Sequence, residues 1–409
     1  MMTTERTGCV VTGGGPAGMV LGLLLARAGV EVTVLEKHAD FLRDFRGDTV
    51  HPSTMRLLDE LGLGKQFAAL PRSQVTDFTF PLPDGSRVQI ADFTKIPGNH
   101  RYVAMVPQWD LLNLLAAQAQ QEPTFTLRMN TEVTGLLREH GKVTGVTYRT
   151  AAGETGELRA ELTVAADGRT SVVRQAANLV PHEYPVPIDA WWFRLPRHDG
   201  DGVGGLGAQL RAGEAAVLIN RGDYYQIAYL IKKGSDAAMR ALGVEKFRER
   251  VAELAPALAD RVDQIKEMDD VKFLDVKLNL LRRWYLPGLL CVGDAAHAMS
   301  PIGGVGINLA VQDAVAAGRI LAAPLRKHHV RATDLAKVMI RRMAPTLVVQ
   351  ALQRTLHRVI FAPAVDGAHV RLPAAAVAAL RRFPVLGAVP AYLVGMGLLP
   401  EHAPAFARR

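Results

Sequence analysis

The stretch VTGGGPAGMV, residues 11–20, limits what this chain can fold into more than any other. Gly13, Gly15 and Gly18 follow the spacing G-x-G-x-x-G. In such a turn the first glycine permits a tight reversal and the second lets backbone approach a pyrophosphate with no Cβ in the way. The third lets a helix pack closely on its strand. A short apolar run, TGCVVT, precedes the turn, and Pro16 and Ala17 open a helical pattern that reaches Ala28, with Gly29 placed to cap it. VEVTVLE then alternates like a strand and ends at Glu36. The whole is a strand–turn–helix–strand unit of about thirty residues, the size of a βαβ unit.

The start of that helix would aim N–H groups and a positive dipole end at a phosphate. Glu36 stands eighteen residues past Gly18. A carboxylate at that spacing grips a ribose 2′-OH, which favours FAD or NAD over NADP. The same letters recur at Gly202, Gly204 and Gly207, but after the charged PRHDGD and before no helical pattern, so that copy reads as a loop.

Composition narrows the class. With 409 residues, 49% of them hydrophobic, the chain is globular and long enough for two or three domains. A net charge of +8 suits anionic ligands, yet no run of five basic residues occurs, which speaks against a nucleic-acid partner. Cys9 and Cys291 sit in apolar strand-like runs and read as buried hydrophobes; without CxxC or HExxH, no metal site is expected. The amino-terminal stretch lacks a charged leader and its apolar part is broken by glycines, so neither a secretory signal nor a membrane span is expected, and the location reads as cytoplasmic.

Further along, Ser53 is the expected N-cap of a helix ending at Gly62. Residues 125–165 suggest a β-meander and 186–233 a second strand-rich region, while 331–409 is mostly helical. Nucleotide-type pieces thus alternate with strand-rich ones. This predicts an α/β fold with a discontinuous Rossmann-like domain (1–73, 101–180, 281–325), an interleaved mixed-sheet domain (74–100, 181–280) and a C-terminal helical segment (326–409).

Two more constellations carry chemistry. In LTVAADGRTSVVR a strand ends in Asp167 and Gly168, followed by Ser171 and Arg174, which reads as a cofactor-facing loop, a capped turn, or both together. In LLCVGDAAHAMSPIGGVGINLAVQDAV a buried strand delivers Gly293 and Asp294, where a carboxylate can accept from sugar or polyol hydroxyls. PIGGVG then makes an open turn, and a helix starting at Gly306–Asn308 could stabilise negative charge on a reduced ring. His297 reads as structural.

Together these motifs resemble the single-component (class A) flavoprotein monooxygenases of the para-hydroxybenzoate hydroxylase fold, with GR2-type FAD binding. The resemblance covers residues 8 to 325. It implies an FAD held by Gly13, Gly15, Pro16, Ala17, Gly18, Glu36 and Lys37, with Arg46 at the flavin, Gln108 at the phosphates or ribityl chain, and Val133 at adenine. It also implies Asp167 and Gly168 for FAD and reductant, Gly293 and Asp294 at the ribityl or pyrophosphate, and the Gly306–Ile307 N–H groups at the flavin O2 edge. NADH or NADPH would reduce the FAD without a second nucleotide domain. Oxygen would add at the flavin C4a position, and the hydroperoxide would hydroxylate an aromatic small molecule. Arg46 is the candidate flavin gate and Pro301 a candidate flavin and substrate contact.

Candidate substrate-lining residues are Trp191, Phe193, Arg194, Tyr224, Tyr225, Phe273, Pro301 and Ile302. Alternation places Trp191 and Phe193 on one strand face and Trp192 and Arg194 on the other, without saying which face looks at the flavin. Few charges fall among them, favouring a phenolic, quinone-like or heteroaromatic substrate. A reductase or oxidase of the same fold acting on a lipophilic substrate is the alternative. The apolar run FPVLGAVPAYLVGMGLLP is expected as packed cover, with a subunit or membrane contact as other roles.

Overall fold

The computed structural model describes residues 3–42, 49–82, 84–201, 206–211, 213–368 and 372–409. Arg46 and the glycines Gly202 and Gly204 lie outside the described residues.

Thr3–Thr12 is the central strand of the first sheet, because its C-terminal part (Cys9, Val10, Val11) is apolar and fully buried on both faces. Val32–Leu35 and Phe125–Arg128 extend the sheet on one side, Thr155–Ala165 and Leu289–Cys291 on the other, all parallel. The expected meander is present over residues 131–165, where Thr131–Glu139, Lys142–Thr150 and Thr155–Ala165 pair antiparallel in sequence order. Phe125–Arg128 departs from it and joins the parallel sheet, to which Thr155–Ala165 also belongs. The helices Pro16–Arg27 and Gly306–Arg326 pack against each other, closely where Gly318 meets Leu24.

Among the described residues the second sheet has seven strands, with Ile188–Pro196 and Tyr224–Lys232 at its heart and Asp77–Pro81 and Arg87–Asp92 at its edge. Leu206–Arg211 belongs to it, so Gly207, expected in a loop, is a strand residue paired with Leu218 and Thr79. On the outer face, helix Gly243–Leu254 buries Phe247, Val251 and Leu254 against the sheet. The inner face is covered by C-terminal helices: Ala364 packs on Ala190, Ala215 and Leu230, and Ala391 and Met396 join the cluster around Ile219 and Phe93. The run 383–400 does act as cover on its inner side.

Ser53 does not cap its helix. Pro52–Glu60 starts one residue earlier, and the Ser53 hydroxyl lies 2.7 Å from Asn308 Oδ1 and donates at 3.0 Å to Gly395 O. A long-range partner outcompetes the local cap.

Candidate active site

The parallel register aligns the strand ends. Thr12 pairs with Leu35 and with Ala165, and Ala165 with Cys291. The segments that follow must then leave the sheet along one edge: Gly13, Glu36, Asp167–Gly168 and Gly293–Asp294. Three motifs far apart in sequence meet for this reason, at the carboxyl edge where open α/β sheets bind ligands.

The glycine turn shows what each position demands. A Cβ on Gly13, at φ +98°, would lie 2.5 Å from Ala166 O, and one on Gly18 would lie 2.0 Å from Gly13 O. Among the described residues, a Cβ on Gly15 would meet nothing within 4 Å. Gly15 is the N-cap of Pro16–Arg27, and no side chain caps that helix. The open side of the turn is thus a cradle beside a helix start, with room for a diphosphate. The buried Glu36 carboxylate accepts from Gly14 N at 2.8 Å and His38 N at 3.1 Å, which anchors it under the turn. Glu36 O accepts from Thr131 N, bringing the strand that contains Val133 alongside. Next to these lies an open recess lined by Lys37, His38, Asn130, Glu132 and Arg149.

Asp167 stands in a capped turn. Its carboxylate accepts from Ser171 Oγ at 2.5 Å and from Val173 N at 3.2 Å, and burial raises its pKa. Ser171 caps Val172–Ala176 by accepting from Arg174 N. Gly168, at φ +83°, has open space where a Cβ would go. Asp294 is part-exposed and receives Arg169 Nε at 3.1 Å. The buried Arg174 donates to Ala295 O and Arg169 O, tying the two motifs together. Gly293 is wedged between the two helix starts; a Cβ there would lie 3.0 Å from Ala310 Cβ and 3.6 Å from Ala17 Cβ. Gln108 opens the helix Gln108–Ala119, which packs on Pro16–Arg27.

At the other end of the edge, Pro301–Val305 turns with Gly303 at φ +79° and Gly304 at φ +62°. Thr49 Oγ1 donates to Gly304 O at 2.7 Å, and His51 Nε2 lies 3.3 Å from Gly303 O. Both carbonyls are engaged by the 49–51 segment, while Gly306 and Ile307 begin a helix with no side-chain cap. From the opposite side Gln353 holds the same turn. Its Oε1 accepts from Ser300 N at 3.2 Å and its Nε2 donates to Ser300 O and Ile302 O, both at 2.9 Å. His357 Nε2 lies 3.0 Å from Ser300 Oγ, at the start of a π-helical turn, His357–Phe361. His51, Gln353 and His357 escaped the sequence reading because their partners lie tens to hundreds of residues away; the local signal at His51 was the run FRGDTVHPSTM, read only for Arg46.

The substrate set needs correction. Trp191, Phe193 and Tyr225 face the outer helix: both Trp191 and Phe193 pack edge-on against Phe247, and all three are fully buried. Phe273 pairs with Trp191 and shares that outer face, half-exposed. The inner face carries Trp192, which packs in the same cluster as Ile302 and Phe361. Of the expected set, Arg194 and Tyr224 share this inner face, the guanidinium 5.1 Å over the ring. Pro301 and Ile302 lie at the turn itself.

His51 and His357 are both buried, and burial pushes each imidazole down to about 4. The fold accommodates their neutral forms. Their contribution is fully present above the unfolded value of 6.5 and is lost as pH falls from 6.5 toward 4. For His51 alone the loss reaches roughly 3 kcal/mol at the lower end. Urea midpoints recorded across this window should fall with pH, and His51→Gln should flatten the slope. An unchanged slope would show that His51 does not titrate with folding.

The family match fits this geometry: residues 6–350 match the family described as FAD binding domain. The chain belongs to that family. It is 35% identical over 377 residues to 6-methylpretetramide 4-monooxygenase of Streptomyces rimosus, covering 90% of this chain and 88% of that protein. Para-nitrophenol 4-monooxygenase of a Pseudomonas species is 27% identical over 75% of both chains. Among solved structures, the anhydrotetracycline hydroxylase OxyS of Streptomyces rimosus superposes with a TM-score of 0.76 at 24% identity, over 96% of this chain and 76% of that one. The chain is an FAD-binding oxidoreductase of the monooxygenase type, with the mixed α/β architecture of these neighbours. Its residues fit FAD: an open cradle at Gly15, a helix start beside it and an anchored carboxylate at Glu36.

Proposed function

We propose that this protein hydroxylates a flat, largely apolar aromatic small molecule with one atom of O₂, using NADH or NADPH as reductant. The supporting observation is the layout of one edge. The Gly13–Gly18 turn and Glu36 would hold the ADP part of FAD, with Val133 beside the adenine. Gly293–Asp294 and Gln108 would take the part between, and Gly306–Ile307 would face the flavin ring. Bound FAD supplies acceptance of reducing equivalents and activation of oxygen.

The chain's own residues do the rest. The Gly306 helix start favours negative charge on a ring placed there. Gln353, Thr49 and His51 fix the Pro301 turn from both sides. Trp192, Ile302 and Phe361 give the inner face an apolar wall that excludes water and suits an aromatic ring. The reaction named for 6-methylpretetramide 4-monooxygenase points the same way. The three side chains of this wall carry no charge, and the Arg194 guanidinium on the same face is stacked on Tyr224, so a phenolic, quinone-like or heteroaromatic substrate is favoured. A cytoplasmic setting suits a reaction that draws on NAD(P)H.

The test is aerobic turnover of the FAD-loaded protein with NAD(P)H against a panel of phenols and heteroaromatics under ¹⁸O₂. The expected product is heavier by one oxygen atom carrying the label. Label from water, or reduction of the substrate without oxygen, overturns the proposal.

A further inference from the structure

The charge of this chain is concentrated. Residues 335–400 hold eight Lys or Arg and one carboxylate, Asp366, so this segment carries +7 of the net +8. The exposed hydrophobics are concentrated there too. Of seventeen large apolar side chains exposed among the described residues, twelve fall between Ile340 and Leu399. Ile340, Leu347, Val348 and Leu352 form an outward stripe on the helix Ala332–Leu356, and Val359 continues it. Phe383, Val385, Leu386 and Val389 stand out from the next helices, at 41–64% exposure. The two groups adjoin, because Pro345 and Val349 on the inner side of the first helix meet Leu393 and Val394 of the last.

Arg358, Arg381 and Arg382 are exposed among these side chains. Arg342 is buried on Asp313, Arg341 is paired with Glu401, and Lys337 with Asp334. The carboxylates near the rim are matched: Asp366 pairs with Lys232, and Asp84 lies in the field of Arg381. We propose that this face, formed by the outward sides of helices 332–356, 374–382 and 384–395, docks peripherally on an anionic phospholipid surface. The helices 374–382 and 384–395 meet at 107°, so they lie along the protein surface rather than crossing a bilayer as one span. Their inner residues Ala391 and Met396 stay packed on the second sheet, leaving only the outer side chains to enter the lipid interface.

Charge decides against a second copy of the chain. A symmetric dimer through this face would set a cationic surface against itself. The apolar side chains also stand on outer helix surfaces, which suit a bilayer better than a peptide that needs a groove. The proposal is independent of the hydroxylation reading.

The test sediments the full-length FAD-loaded protein with vesicles of phosphatidylcholine alone and of an equal mixture with phosphatidylglycerol. Binding is expected only to the anionic vesicles and should weaken as salt is raised. Arg358→Gln with Arg382→Gln should weaken it about 25-fold, since each cation near such a surface contributes about fivefold. Val385→Ser with Val389→Ser, which leaves charge unchanged, should weaken it as well. Flavin retention shows that these surface variants are folded. Equal binding to both vesicle types, binding to neither, or a dimer in sedimentation velocity that Val389→Ser dissociates overturns the proposal.

Discussion

A Gly15→Val protein is expected to fold as the parent does and to lose its flavin. Gly15 has φ −73° and ψ −177°, extended backbone that any residue adopts, and among the described residues a Cβ there meets no atom within 4 Å. Folding therefore gives no reason for glycine at this position. The reason left is a ligand: a valine side chain would fill the space where the diphosphate approaches the helix start. FAD affinity should fall at least about 100-fold, close to 3 kcal/mol, while the far-ultraviolet circular dichroism and the urea midpoint of the apoprotein stay near those of the parent. Gly18→Ala makes the contrast. Its Cβ would sit 2.0 Å from Gly13 O, so that variant should lose stability and flavin together. Titration of each apoprotein with FAD, followed by quenching of flavin fluorescence, separates the two. Parent-like affinity in Gly15→Val would move the diphosphate away from this turn.

The same turn shows how much of the site was legible in the sequence. Gly13, Glu36, Asp167 and Asp294 could be picked out because each follows an apolar strand, and parallel pairing then brings their strand ends to one edge. Local pattern failed where a distant partner decides the outcome. Ser53 has the chemistry of a cap but is taken by Asn308, whose register against it no local signal encodes. The substrate wall failed for a related reason. Period-two alternation separates Trp191 from Trp192 but is blind to which face the helix Gly243–Leu254 will cover. The larger apolar cluster, with Phe247 at its centre, took Trp191, Phe193 and Tyr225. Gln353 and His357 lie in the segment that resembled nothing, and their role appears only once the helix Ala332–Leu356 is laid against the Pro301 turn.

Asp313→Asn is the second variant with a large expected effect, this time on stability. Asp313 is fully buried in the helix Gly306–Arg326. Its Oδ2 lies 2.6 Å from His297 Nε2 and accepts from Gly293 N at 3.1 Å, and its Oδ1 accepts from Arg342 Nε at 3.0 Å. Burial opposes the charge, but the neighbouring His297 and Arg342 prevail and hold the carboxyl below its usual range. Arg342 in turn lies 3.7 Å from Glu401, which also receives Arg319 and Arg341. One carboxylate thus links the Gly293 corner, two long helices and the C-terminal tail. Asparagine keeps the shape and removes the charge, leaving the Arg342 guanidinium buried without its counter-ion. Loss of one member of such a pair costs about 3–5 kcal/mol, which urea denaturation at pH 7 would read. Asp313→Leu combined with Arg342→Met removes both charges. It should cost less than the sum of the two single changes, because the desolvation of each ion disappears with its partner. Strict additivity would mean that the two side chains act separately. FAD affinity should fall in Asp313→Asn as well, since Gly293 N loses a charged acceptor at the corner that carries Asp294. A stability loss with unchanged FAD affinity would confine Asp313 to holding the helices together, with no reach into the cofactor edge.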